Sequence, residues 1–173
     1  RLLNSGTARG RLPTEFALFL EKYPNVSITL DGAALNPEDA QVTKRDVPLS
    51  GAPEGASLRV IEWRKPVDRA LFLSANGLSP LAEIQPGIQA RGFHFTAYLQ
   101  WAGFAEHADT VMLGELSGEP VNGLIEVART GLRDYFRARR DERSKQLIET
   151  WKADSTYPFR EEPTSPVEVA ERE

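Results

Sequence analysis

Glu106-His107-Ala108-Asp109 places two carboxylates and an imidazole within four residues. Such a set could hold a divalent cation or act as a general base. A metal site needs ligands that converge, and H-E-x-x-H spacing on a helix is the usual short signature. That spacing is absent, and the other histidine, His94, is distant in sequence. Glu106, His107 and Asp109 therefore read as a polar loop. They are the only metal candidates, and no metal or catalytic residue is assigned. With no cysteine in the chain, disulfides, thiolate zinc sites and cysteine nucleophiles are excluded. No G-x-S-x-G sequence marks a serine nucleophile. Gly6 to Gly10 and Gly51 to Gly55 lack the G-x-x-x-x-G-K-[ST] pattern that cradles phosphate.

The element that must organise the rest is Phe93 to Trp101. Phe93, Phe95, Ala97, Leu99 and Trp101 alternate with His94, Thr96, Tyr98 and Gln100. Strict alternation predicts a strand with one apolar face on the core and a polar face turned away. His94 falls on the polar face, as a surface or cross-strand residue. An irregular stretch, Ala102 to Pro120, leads to a long helix from Val121. Val121, Leu124, Ile125, Ala128, Leu132, Tyr135 and Phe136 form its core-facing stripe. From Arg137 the stripe gives way to Arg-Ala-Arg-Arg-Asp-Glu-Arg-Ser-Lys-Gln, and Leu147, Ile148 and Trp151 restore it. These last three are the candidate interface residues.

The other elements surround this pair. Thr14 to Tyr23 predicts a short amphipathic helix stopped by Pro24. Asn25 to Pro37 predicts a hairpin around Asp31-Gly32, and Ala70 to Ile84 a second around Asn76-Gly77. Leu58 to Trp63 predicts a strand with apolar residues on both sides. Gln41 to Leu49 is ambiguous between a short strand and a loop. The expected fold class is α+β: a mixed, mostly antiparallel sheet of about four to six strands backed by helices, with a long C-terminal helix. The expected organisation is a flexible entry at 1–13, an α+β domain at 14–136, a projecting helix end at 137–152 and an acidic, disordered tail at 153–173.

Net charge over 173 residues is −4, which carries no nucleic-acid signature. The distribution is uneven. Residues 121–152 hold 8 Lys+Arg against 5 Asp+Glu, and residues 153–173 hold 2 against 6. The basic run Arg137 to Lys145 is interleaved with Asp141 and Glu142 and has no aromatic residue, so it reads as a solvated helix face. No signal peptide or membrane span is present, and the expected location is the cytoplasm. The chain begins at Arg1 and stops abruptly at Glu-Arg-Glu, so it reads as a piece of a longer protein.

Several phrases resemble the region that follows the ATP-binding domain in GHKL-type ATPases. That superfamily includes histidine kinases, MutL, gyrase B, the ninety-kilodalton heat-shock chaperones and MORC proteins. The phrases are Glu21 to Val26 leading into Ile28 to Pro37, then Leu58 to Trp63, Pro86 to Leu99 and Ile148 to Ala153. Together they resemble a bacterial group of heat-shock-chaperone-like ATP-binding proteins. The resemblance implies a transducer domain of ribosomal-protein-like fold with a left-handed β-α-β crossover. It implies that an N-terminal ATPase domain of the same protein is the partner, and it allows a homodimer. It also implies that ATP and magnesium belong to the parent protein, with no cofactor in this segment. A loop ahead of the long helix would bring Lys or Arg to the γ-phosphate. Here that loop is Ala102 to Pro120, and it contains neither. The segment is expected to be non-catalytic, coupling a neighbour's nucleotide state to conformational change. The alternative is a stand-alone interaction module that uses the long helix and acidic tail.

Overall fold

A computed structural model describes residues 12, 14, 16, 17, 19–77, 80–113 and 116–153. The expected tail at 153–173 and the Gly6 to Gly10 stretch lie, but for Ala153, outside these. The chain divides into two units, Arg1–Tyr135 and Phe136–Glu173.

The described residues between 12 and 22 are helical (α1). A small hairpin follows, β1 (Thr29–Leu30) with β2 (Ala33–Ala34). Asp31 and Gly32 both take positive φ, 51° and 77°. Two successive positive φ values are what a tight primed hairpin turn requires, which is why Asp-Gly sits there. Asn36 then caps the single turn α2 (Pro37–Ala40), its side chain accepting from the Glu38 N–H at 3.3 Å.

The main sheet contains β3 (Gln41–Val47), β4 (Ser57–Trp63), β5 (Ala70–Ser74), β6 (Ala82–Ile84) and β7 (Phe95–Gln100). Its order is β3-β4-β7-β5-β6. All neighbours are antiparallel except β5 and β7. With the long helix α4 (Val121–Ala153), this is the expected α+β class. The ambiguous segment at 41 is a seven-residue edge strand with an irregularity between Gln41 and Thr43. The central strand is shorter than the alternation suggested, because Phe93 and His94 precede the ladder and Trp101 follows it.

The expectation of one buried and one polar face on β7 is corrected. Thr96 and Tyr98, on the supposed polar face, are as buried as Phe95 and Leu99. The face carrying Ile61, Trp63, Ala70, Phe72 and Tyr98 forms one core with Ala17 of α1. The Trp63 indole N–H donates to Thr96 Oγ1 at 3.0 Å, Thr96 Oγ1 donates to Tyr98, and the Tyr98 hydroxyl donates to the Thr14 carbonyl. These polar groups are buried because each has a partner. The opposite face carries Leu58, Val60, Glu62, Leu71, Leu73, Phe95, Ala97 and Leu99. Here Tyr135 of α4 donates to Glu62 Oε1 at 2.7 Å. Leu124, Ile125, Ala128 and Leu132 of α4 are all buried, as the sequence stripe requires.

The parallel pair is joined through β6 and the irregular residues after it, without a helix. The β-α-β crossover that the resemblance implies is not formed among the described residues.

Candidate functional site

The loop between β7 and α4 holds the residues first singled out. A turn of 3-10 helix at Ala102–Ala105 leads to the one-turn α3 (Ala108–Val111). Trp101 packs edge-on against Phe104 and stacks on the ring of His107, with centroids 5.4 Å and 6.4 Å apart. Gly103 is required there, because a Cβ would lie 2.3 Å from the Trp101 ring. His107 is thus half-buried against an indole. Its carbonyl accepts from the backbone N–H of Thr110 and Val111 and from the Thr110 hydroxyl. Glu106 and Asp109 are exposed on either side of it. Among the described residues no group of three or more His, Asp or Glu is placed to hold a metal ion. His94 lies elsewhere, half-buried, its carbonyl accepting from the Trp63 N–H at 2.7 Å.

The tip of this loop has a property that periodicity does not reveal. Met112, Leu113 and Leu116 are 75%, 55% and 84% exposed. They belong to no helical or strand pattern long enough to read as a face. Only their position on a loop could have marked them.

Two surface clefts flank α1. One, of about 240 Å³, is lined by Leu20, Pro24, Val26, Leu35, Pro37 and Lys44 among others. The second, of about 290 Å³, is lined by Glu21, Lys22, Arg59, Asn76, Gly77 and Gln100. An ion network lies between them. Arg59 holds Asp46 in a two-point contact, Nε to Oδ1 at 2.7 Å and Nη2 to Oδ2 at 3.0 Å. Its Nη1 reaches Glu21 Oε1 at 3.0 Å, and Lys44 Nζ reaches the same oxygen at 3.1 Å. The hydrogen bond from Arg59 holds the Asp46 carboxyl below its ordinary range, and the same bond raises the Arg59 guanidinium. Two cations thus meet two carboxylates, so the network is a tie between α1, β3 and β4. Its signal in the sequence is the cross-strand register that sets Asp46 opposite Arg59, which requires knowing that β3 pairs β4.

Arg129 is the other residue missed. It sits on the buried side of α4, donating to the carbonyls of Pro86 and Gln85 at 3.2 Å each and to Glu126 Oε1 at 2.7 Å. A charge inside the helical stripe is tolerated because it is paired and hydrogen-bonded.

The candidate interface residues lie at the end of α4, where Leu147 and Trp151 are exposed and Ile148 is half-buried. Between Arg137 and Gln146 no residue is buried. Arg139 pairs with Glu142 one turn on. None of the described helices is long and apolar enough to cross a membrane. Comparison of the chain with protein-family models, curated proteins and solved structures finds no match.

Proposed function

We propose that this chain is a non-catalytic coupling module, the transducer or middle region of a GHKL-type ATP-binding protein in the cytoplasm. Its role is to pass the nucleotide state of a neighbouring ATPase domain into a change of conformation or dimer geometry. The observation that carries the reading is α4. It is a single helix of 33 residues whose last buried residue is Phe136, followed by a charged run and then Leu147, Ile148 and Trp151. A helix that continues so far beyond its own buried stripe is suited to meeting something else. The phrases quoted above and the α+β class are consistent with it. ATP and magnesium are assigned to the parent protein, and the partner is its N-terminal ATPase domain.

The test is nucleotide response. A ligand at a hundred times its dissociation constant stabilises a protein by about 2.7 kcal/mol. The chain 1–173 alone is expected to show no shift in melting temperature with ATP and magnesium. The parent protein is expected to show one, with altered amide exchange in α4. A saturable shift in the chain alone would overturn the assignment.

A stand-alone interaction module is the second reading. Two observations favour it: the parallel strands are joined without a helix, and Ala102 to Pro120 contains no Lys or Arg. A parent gene without the superfamily's ATP-binding motifs would select it.

A further inference from the structure

Four cations gather at the end of the main sheet where β4 stops and β5 and β7 start: Arg64, Lys65, Arg69 and Arg91. The register places them. The Trp63 N–H donates to the His94 carbonyl at 2.7 Å, so Arg64 stands level with Phe93. On the other side of β7, Ala70 pairs with Thr96, and Arg69 comes just before it. The Phe93 N–H donates to the Ala90 carbonyl at 3.2 Å, and Gly92 takes φ 76°. That is a tight turn of the kind that needs glycine at its third residue, and it sets Arg91 at the corner.

Elsewhere on the sheet the cations are neutralised. Lys44 and Arg59 meet Glu21, Arg59 also meets Asp46, and Arg129 meets Glu126. At this end none of the four is paired with a carboxylate among the described residues. Asp68, in the same loop, and Glu38 of α2 are exposed and ion-paired to none of them. Two of the guanidiniums are instead pinned through Nε. Arg64 Nε donates to the Gln41 carbonyl at 3.1 Å, and Arg69 Nε to the Phe93 carbonyl at 3.2 Å. A guanidinium held this way keeps both terminal NH2 groups for a forked grip on an oxyanion. Being already held, it loses less freedom when a ligand arrives.

The spacing narrows the ligand. Gln41 and Phe93 lie on the chains either side of β4, two strand spacings apart, or about 10 Å. Side chains seven residues apart on a helix share a face and lie about 10.5 Å apart. In an extended chain, residues that share a face lie about 6.6 or 13 Å apart. Trp63 and Phe93, the aromatic residues here, are buried, so no nucleic-acid base could stack on them. We propose that this end of the sheet docks an acidic helix of a partner protein. Arg64 and Arg69 grip carboxylates two turns apart, and Lys65 and Arg91 add charge at the rim.

The test is fluorescence anisotropy of a labelled alanine-rich helical peptide with Glu at i, i+3 and i+7, titrated with the full chain at low salt. Arg64→Gln/Arg69→Gln should weaken binding about tenfold, because charge-assisted forked bonds are the strong ones. Arg140→Gln/Lys145→Gln removes the same charge from exposed positions of α4 and should change binding less than about twofold. Arg69 is half-buried, so Lys65→Gln/Arg91→Gln, at exposed positions, is the second variant and should weaken binding about threefold. Circular dichroism checks the fold of each. No binding of the peptide, or an equal loss in the α4 control, would overturn the docking surface. So would equal binding of a peptide with Glu at i, i+2 and i+5, or tighter binding of a single-stranded oligonucleotide of equal charge. ATP plays no part in this test, so its failure leaves the coupling role standing.

Discussion

Tyr98 decides whether the sheet is covered on one side or two. Placed on the polar face of β7, it would lose little on truncation. In the folded chain it is 2% exposed and its ring stacks on Phe72 at 5.2 Å. Truncation to alanine removes a full aromatic ring from a closed core, which costs about 3–5 kcal/mol. Tyr98→Phe keeps the ring and loses only the hydroxyl, which serves Thr14 and Thr96. That change should cost about 1–3 kcal/mol, because it takes a partner from two buried polar groups, and so less than the loss of the whole ring. The comparison residue is Leu99, fully buried on the opposite face. Leu99→Ala removes three carbons at about 0.8 kcal/mol each. The cavity left behind brings the total within the usual 2–5 kcal/mol. Urea unfolding measures all three on one scale, with an unchanged slope as evidence that the two-state comparison holds. Domains of this size have about 5–15 kcal/mol in all, so Tyr98→Ala should remove a large share. If Tyr98→Ala cost less than 1 kcal/mol while Leu99→Ala cost more than 2, the α1 side would be an open surface and the two-sided sheet would be wrong.

Asp46 supplies a pH prediction. Its folded pKa is depressed, chiefly by the Arg59 hydrogen bond, so its contribution is present above the unfolded value of about 3.9 and is lost as pH falls through the lower folded value. The side chain is 64% exposed, so screening limits the contribution to less than about 1 kcal/mol. Unfolding below pH 4 should show an acid-side loss that Asp46→Asn removes and that high salt diminishes; identical acid limbs would refute the link. Gly87→Ala should lower the melting temperature more than Gly51→Ala. Both have positive φ, 64° and 82°, but a Cβ at 87 would stand 2.9 Å from Arg129 Nε while one at 51 meets nothing. Equal losses would mean that the loop at 85–87 is not held by Arg129.

How much of this was legible in the sequence depends on the range of the interaction. Asp31-Gly32 and the stripe of α4 are local patterns, and both form where the spacing requires. The strand at Leu58 to Trp63 was legible as two-sided because both of its faces are apolar. The second face of β7 was not, because Thr96 and Tyr98 look polar until Trp63 and Thr14 are brought to them from 33 and 84 residues away. Arg129 illustrates the same limit. In sequence it interrupts an apolar stripe, and only the Gln85 and Pro86 carbonyls, more than 40 residues distant, explain it. Glu106, His107 and Asp109 show the converse. Their closeness in sequence raises a ligand set that their spacing argues against, and in the fold His107 is half-buried against Trp101 while Glu106 and Asp109 are exposed.

These long-range ties bear on how the α+β unit could couple anything. Its stretch of α4 is fastened to the sheet at three separate places. Arg129 grips the chain between β6 and β7, Tyr135 bonds Glu62 of β4, and Gly131 lets Val47 approach, where a Cβ would lie 3.3 Å away. Each tie involves a different element, so the helix cannot slide or rotate without breaking a buried bond or opening a packed contact. A buried polar group left unmatched costs about 1–3 kcal/mol, and packed cores switch between discrete arrangements rather than deform smoothly. The sheet and this part of α4 therefore move as one body. For a coupling module this means that signals enter and leave at its margins. One such margin is the loop between β7 and α4, where Phe104 and Val111 are buried but Met112, Leu113 and Leu116 stand in solvent. Its base is held by the Trp101, Phe104 and His107 cluster, leaving only the apolar tip to answer a neighbour.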